Sequence, residues 1–108
     1  MFTQHGFYSI VADRVEAGRH LVRARVRPDL ENLKKLAGIT GTIRTTPDAD
    51  YRYRLSIDAA ELIRLMNALA NTVDYPNFKA RISQRPDQVG RSGTYHPIWA
   101  EAAKMQPS

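Results

Sequence analysis

Residues 20 to 27 read His20-Leu21-Val22-Arg23-Ala24-Arg25-Val26-Arg27, and the run ends at Pro28-Asp29. From Val22 onward apolar and charged side chains alternate. Successive side chains of an extended strand point to opposite faces, so Val22, Ala24 and Val26 go one way and Arg23, Arg25 and Arg27 the other. Burying three guanidinium groups without partners would cost many kcal/mol, which makes the arginine side the solvent side. Such a strand belongs in a sheet packed on one face only, and the flanking sequence supplies both the sheet and its cover.

Upstream, Gly6 to Ala12 is aromatic and β-branched, and a turn-like segment from Asp13 to Gly18 joins it to the arginine strand as a hairpin. Downstream, Leu30, Leu33, Leu36 and Ala37 recur at helical spacing until Gly38, a residue typical of the position beyond a helix end. The plan then repeats. Ile39 to Thr45 reads as a strand, Thr46 to Asp50 as a turn, Tyr51 to Ile57 as a strand and Asp58 to Val73 as a helix. Asp58 followed by Glu61 is a capping pattern, and Leu62, Ile63, Met66, Leu69, Ala70 and Val73 form the expected apolar face. In the fourth strand Tyr51, Tyr53, Leu55 and Ile57 oppose Arg52 and Arg54; in the third, Ile39 and Ile43 turn inward and leave Arg44 outward. Arg25 to Asp29 lies in register with Arg54 to Asp58, which suggests two related ββα units, about 7–37 and 39–73.

Beyond Val73, Pro76 biases Tyr75 away from helical geometry, so the stretch Asp74-Tyr75-Pro76-Asn77-Phe78-Lys79 should separate two helices. Phe78 and Ile82 share a face. Ser83 to Gly93 has loop composition, and a last helix is expected near Pro97, carrying Trp99. The expected fold is α+β: a single domain over 1–108 of order ββαββα with a helical extension over 74–108. Its antiparallel sheet should have one helix-covered face and one basic open face.

The totals agree with one domain, since 108 residues suffice for a single core. The chain has no cysteine, which excludes disulfides, thiolate metal sites and cysteine nucleophiles. No apolar run approaches the roughly 20 residues that span a bilayer, and the first residues lack a signal-peptide pattern, so a cytoplasmic protein without a membrane partner is expected. The formal charge is +5, and twelve of the sixteen cations are arginine. Guanidinium makes planar two-bonded contacts to phosphate or carboxylate and stacks on aromatic rings, whereas lysine mostly supplies solvated charge.

Catalytic patterns are weak. His5, His20 and His96 lack metal-ligand spacing, and Ser9, Ser56, Ser83 and Ser92 lack a nucleophile-elbow context. Asp48 and Asp50 are better explained as turn chemistry. No cofactor and no metal is expected, and the reading leans away from an enzyme.

Gly6-Phe7-Tyr8-Ser9-Ile10-Val11, Val22-Arg23-Ala24-Arg25-Val26, Asp50-Tyr51-Arg52-Tyr53-Arg54, Asp74-Tyr75-Pro76-Asn77-Phe78-Lys79 and Tyr95-His96-Pro97-Ile98-Trp99, in this order, resemble the motifs of a family of small uncharacterised bacterial proteins. The resemblance covers nearly the whole chain and implies a stand-alone domain; it carries no activity, substrate or cofactor. In relatives the final motif looks like Tyr, two variable positions and then Val-Trp, whereas here Pro97 and Ile98 precede Trp99.

Two functions remain open. Arg23, Arg25, Arg27, Arg44, Arg52 and Arg54 on an open sheet would suit nucleic acid, another polyanion or an acidic protein surface. Alternatively Tyr75, Phe78 and Trp99 form a partner-binding patch, as in an interaction or inhibitor module that a mobile element directs against a host complex. More bland roles compete with both: a solvated strand face for the arginines, and a joint clamping the C-terminal helices for the aromatics. The pattern is equally compatible with a homodimer.

Overall fold

The structure, a computed structural model, describes residues 1–107. The chain divides into two compact units, Met1–Asp74 and the residues from Tyr75 onward. In the first unit Tyr8, Val22, Ala24, Leu55 and Ile57 are buried on one side of a sheet, against Leu30, Leu33 and Ala37 of one helix and Leu65 and Leu69 of another. The strands are β1 (Phe2–Thr3), β2 (Gly6–Ala12), β3 (Arg19–Ala24), β4 (Arg44–Thr45) and β5 (Tyr53–Asp58); the helices are α1 (Arg27–Ala37) and α2 (Ala59–Asn71). Among the described residues the sheet has five antiparallel strands in the order β1-β2-β3-β5-β4. The fold is therefore α+β, with the ββαββα order running from β2 to α2.

Each helix is anchored by local chemistry. Asp58 accepts the Glu61 N–H at 2.7 Å while Glu61 accepts the Asp58 N–H at 3.0 Å, closing the capping box that starts α2. Helix α1 has no side-chain cap; Pro28 occupies its first turn, where a missing N–H costs nothing. It ends at Gly38, whose left-handed φ of 65° suits glycine.

Several expected details shift. Strand β3 stops at Ala24, and Arg27 is the first residue of α1, where it pairs with Glu31 at 3.0 Å one turn along. The third strand shrinks to Arg44–Thr45, because Ile39 and Ile43 are drawn into the core as irregular chain. Tyr51 lies before β5 rather than in it. In α2 the buried side chains are Leu65 and Leu69, with Leu62 half-buried, while Ile63, Met66 and Val73 are exposed. The stripe of Leu62, Leu65 and Leu69 is also at helical spacing, and it is the one the sheet covers. The proposed match of Arg25–Asp29 with Arg54–Asp58 fails in its roles. Asp58 is an N-cap, whereas Asp29 sits inside α1, is buried, and accepts the Phe7 N–H at 3.1 Å.

The N-terminal residues form an unforeseen polar hook. Thr3 Oγ1 accepts the N–H groups of His5 and Gly6, each at 3.1 Å. Gln4 Nε2 donates to the Thr72 carbonyl at 2.6 Å, and Asn32 Nδ2 donates to the His5 carbonyl at 2.8 Å. A buried polar turn is tolerated because its donors and acceptors find partners on α1 and beyond the end of α2.

The second unit carries α3 (Phe78–Gln84) and α4 (Ser92–Ala102). Asn77 caps α3 by accepting the Ala80 N–H at 3.0 Å. Helix α4 starts five residues before Pro97 and runs through it. The early start places Tyr95 and Trp99 one turn apart, and both rings reach Phe78, at 6.5 and 5.9 Å between centroids. Among the described residues no helix is long and apolar enough to cross a membrane.

Candidate anion-binding face

The side of the sheet opposite the helices is set by alternation from the buried Tyr8, Val22 and Leu55. It carries Phe7, Ser9, Leu21, Arg23, Arg54 and Ser56. Strand pairing places Ser9 opposite Arg23, Arg23 opposite Arg54, and Arg54 opposite Arg44. Three arginines thus form one row across β3, β5 and β4, on strands spaced about 4.8 Å apart. Like charges directly opposite on neighbouring strands repel, so this row works against folding unless something else offsets it.

Neighbours offset it only in part. Arg23 donates to Ser9 Oγ at 2.7 Å, and its Nε is buried without an acceptor. The Arg54 side chain makes no hydrogen bond or ion pair with any described residue, and its Nε too is buried without an acceptor. Tyr51 links the row to a fourth arginine: its ring centre lies 4.8 Å from the Arg23 guanidinium and 4.4 Å from that of Arg25. Cations over an aromatic face are attracted by its quadrupole. Arg25 donates at 2.9 Å to the main-chain carbonyl of Asp50, which leaves its charge unneutralised by that contact.

The opposite end of the face is compensated. Asp13, Glu16, Leu21, Arg44 and Arg54 line a hollow, and Glu16 lies 3.6 Å from Arg19. Hydrogen bonds from the main-chain N–H groups of Val15 and Glu16 hold the Asp13 carboxyl below its ordinary value, with the charges of Arg44 and Arg19 adding to the effect. Positive charge away from these carboxylates is therefore left at Arg23 and Arg25, with Arg54 between them and the acidic end.

Of the six arginines expected on this face, Arg23, Arg44 and Arg54 form the row and Arg25 joins them through Tyr51. Arg27 is diverted to Glu31 on α1, and Arg52 is exposed on the approach to β5. Sequence reasoning missed Ser9 and Tyr51, and it assigned Tyr51 to the core side. The neighbouring Asp48 and Asp50 marked a turn there, and a turn breaks the alternation on which that assignment relied.

A groove of ≈ 530 Å³ adjoins the basic row, lined by Met1, Tyr8, Ser9, Ile10, Tyr51, Leu62 and Met66. Ser9 and Tyr51 belong to both features. Met1 extends the pairing of β1 to Tyr8, donating to the Tyr8 carbonyl at 2.6 Å and accepting its N–H at 3.0 Å, so β2 from Ser9 onward has a neighbour on the β3 side alone.

In the second unit, Tyr75, Phe78 and Trp99 pack with Tyr95, which is nearly fully buried. Lys79 lies over Trp99 at 5.3 Å and Arg81 over Tyr75 at 5.1 Å. Tyr95 is the buried centre of this cluster, while Tyr75, Phe78 and Trp99 are half-buried, and Phe78 and Trp99 line a surface hollow with Pro76, Asn77 and Lys79. No group of three or more His, Asp or Glu residues that could hold a metal ion occurs among the described residues. Comparison of the chain with protein-family models, with curated proteins and with solved structures finds no match in any of the three.

Proposed function

We propose that this chain is a non-enzymatic binding module whose arginine-lined sheet face engages nucleic acid or another polyanion. One observation carries the reading: Arg23 and Arg54 face each other in a row with Arg44, and the Arg54 side chain has no hydrogen-bond or ion-pair partner among the described residues. Two unit charges about 5 Å apart in water repel by roughly 1 kcal/mol, and a bridging phosphate converts that repulsion into two attractions. Tyr51 and Ser9 hold Arg23 in place, which lowers the ordering cost of binding.

The test is fluorescence anisotropy of labelled oligonucleotides and of inorganic polyphosphate as competitor, across a salt series from about 50 to 200 mM. Affinity should fall steeply with salt and collapse in the doubly substituted Arg23→Ala, Arg54→Ala protein. Absence of binding at low salt, in a variant-free sample shown to be folded, would overturn the reading. An interaction or inhibitor module built on Tyr75, Phe78 and Trp99 is the less supported reading, because those rings face one another.

A further inference from the structure

The groove and the basic row share two residues, and that juxtaposition narrows the ligand. Met1, Ile10, Leu62 and Met66 make much of the groove apolar, while Tyr51 and Ser9 at its rim contact the guanidinium of Arg23. A ligand filling both must carry a flat or apolar group joined through a short linker to an anionic group. A nucleotide has this form: a base with two π-faces, joined through a sugar to phosphate. A duplex does not offer it, because its bases are stacked and paired, so that only their edges and the backbone are exposed and no π-face is free. Polyphosphate and acidic peptides supply the charge without the flat apolar group.

We infer that the nucleic acid bound at this face is single-stranded, with an unpaired base entering the groove beside Tyr51 and the adjoining phosphates lying on Arg23, Arg25 and Arg54. This rests on the polyanion reading above. The volume, ≈ 530 Å³, lies within the range of roughly 300 to 1,000 Å³ typical of ligand pockets. Tyr8, Ser9 and Ile10 of β2 and Leu62 and Met66 of α2 form most of the groove, and Tyr51 closes it from the bend before β5. The guanidiniums of Arg23 and Arg25 both lie over the Tyr51 ring, and their planar groups extend the stacking surface at the rim. At the other end of the row, Asp13 and Glu16 repel phosphate, so the strand runs from Arg54 past Arg23 towards Arg25.

The experiment compares a labelled single strand, a duplex of the same length and sequence, inorganic polyphosphate and adenosine monophosphate at one salt concentration. The proteins compared are the unmodified chain, Tyr51→Leu, Met66→Glu, and Arg23→Ala with Arg54→Ala. Single-strand affinity should exceed duplex affinity by about tenfold or more, the scale of one stacked base, and Tyr51→Leu or Met66→Glu should remove that advantage while polyphosphate binding persists. Circular dichroism melting identifies any variant that fails to fold, and Met66, being exposed, is the variant safest from that outcome. Equal binding of single strand, duplex and polyphosphate would overturn the inference and leave the polyanion reading standing. Binding of adenosine monophosphate as tight as that of the strand would also overturn it, in favour of a free nucleotide. No binding of any probe would overturn both.

Discussion

Arg23 and Arg54 face each other directly across β3 and β5, and the Nε of each is buried without an acceptor. Nothing in the core requires two cations here. Two neutral side chains would pair more favourably, so the arrangement is a cost that folding bears.

Replacing Arg54 by Thr should therefore leave stability unchanged or raise it by up to about 1 kcal/mol, since it removes repulsion from both Arg23 and Arg44 and keeps a good strand residue. The same change should make the salt dependence of single-strand binding shallower by about 0.7 per lost phosphate contact. Urea denaturation and a salt-series titration on one sample separate the two effects. A clear loss of stability would show that Arg54 is structural.

Gly6→Ala should destabilise the first unit by about 1 to 3 kcal/mol. A Cβ at position 6 would lie 2.7 Å from Asp29 Cβ and 2.8 Å from its Oδ1, so the carboxylate that receives the Phe7 N–H would have to move. Chemical denaturation followed by far-ultraviolet circular dichroism reads this directly, and a neutral result would mean that Asp29 has room to turn aside.

Asp58→Ala should cost about 1 kcal/mol, because it opens the capping box and leaves the Glu61 N–H unsatisfied. Asp58→Ser should recover most of the loss. Equal stability of all three proteins would show that the cap contributes nothing measurable.

Tyr95→Ala should loosen the second unit by about 3 kcal/mol or more, since Tyr95 is nearly fully buried between Phe78 and Trp99. Trp99 is the only tryptophan, so its emission reports this unit specifically. A red shift at low denaturant is expected; unchanged emission would mean that the aromatic interior does not depend on Tyr95.

Asp13 gives the β2–β3 turn a pH dependence. Its carboxyl is held below its ordinary value in the folded chain by the Val15 and Glu16 N–H groups, then by Arg44 and Arg19. A depressed acid stabilises the fold above the unfolded carboxyl pKa, near 3.9, and that contribution is lost as pH falls through the lower folded value. Amide exchange at Val15 and Glu16 should accelerate in that acid window, and Asp13→Asn should flatten the profile. An identical pH response in both proteins would locate the effect elsewhere.

The alternation of Val22, Arg23 and Ala24, and of Arg54, Leu55 and Ser56, determined by itself which side of each strand is wet, because period-two geometry and the cost of burying a cation are local rules. The order ββαββα and the caps at Asp58 and Gly38 were legible for the same reason: turns, caps and helical periodicity act within a few residues. Only the tertiary structure decided that Arg23 meets Arg54, since the register of strands more than thirty positions apart depends on how the whole core packs. It also decided that Leu65 and Leu69 rather than Ile63 and Met66 are covered, both stripes having helical spacing. Tyr51 escaped the alternation because the chain bends before β5, and the bend delivers its ring to two arginines that no local pattern associates with it. The paired arginines, the groove and their shared rim are thus properties of strand register and packing, superimposed on faces that the sequence had already chosen.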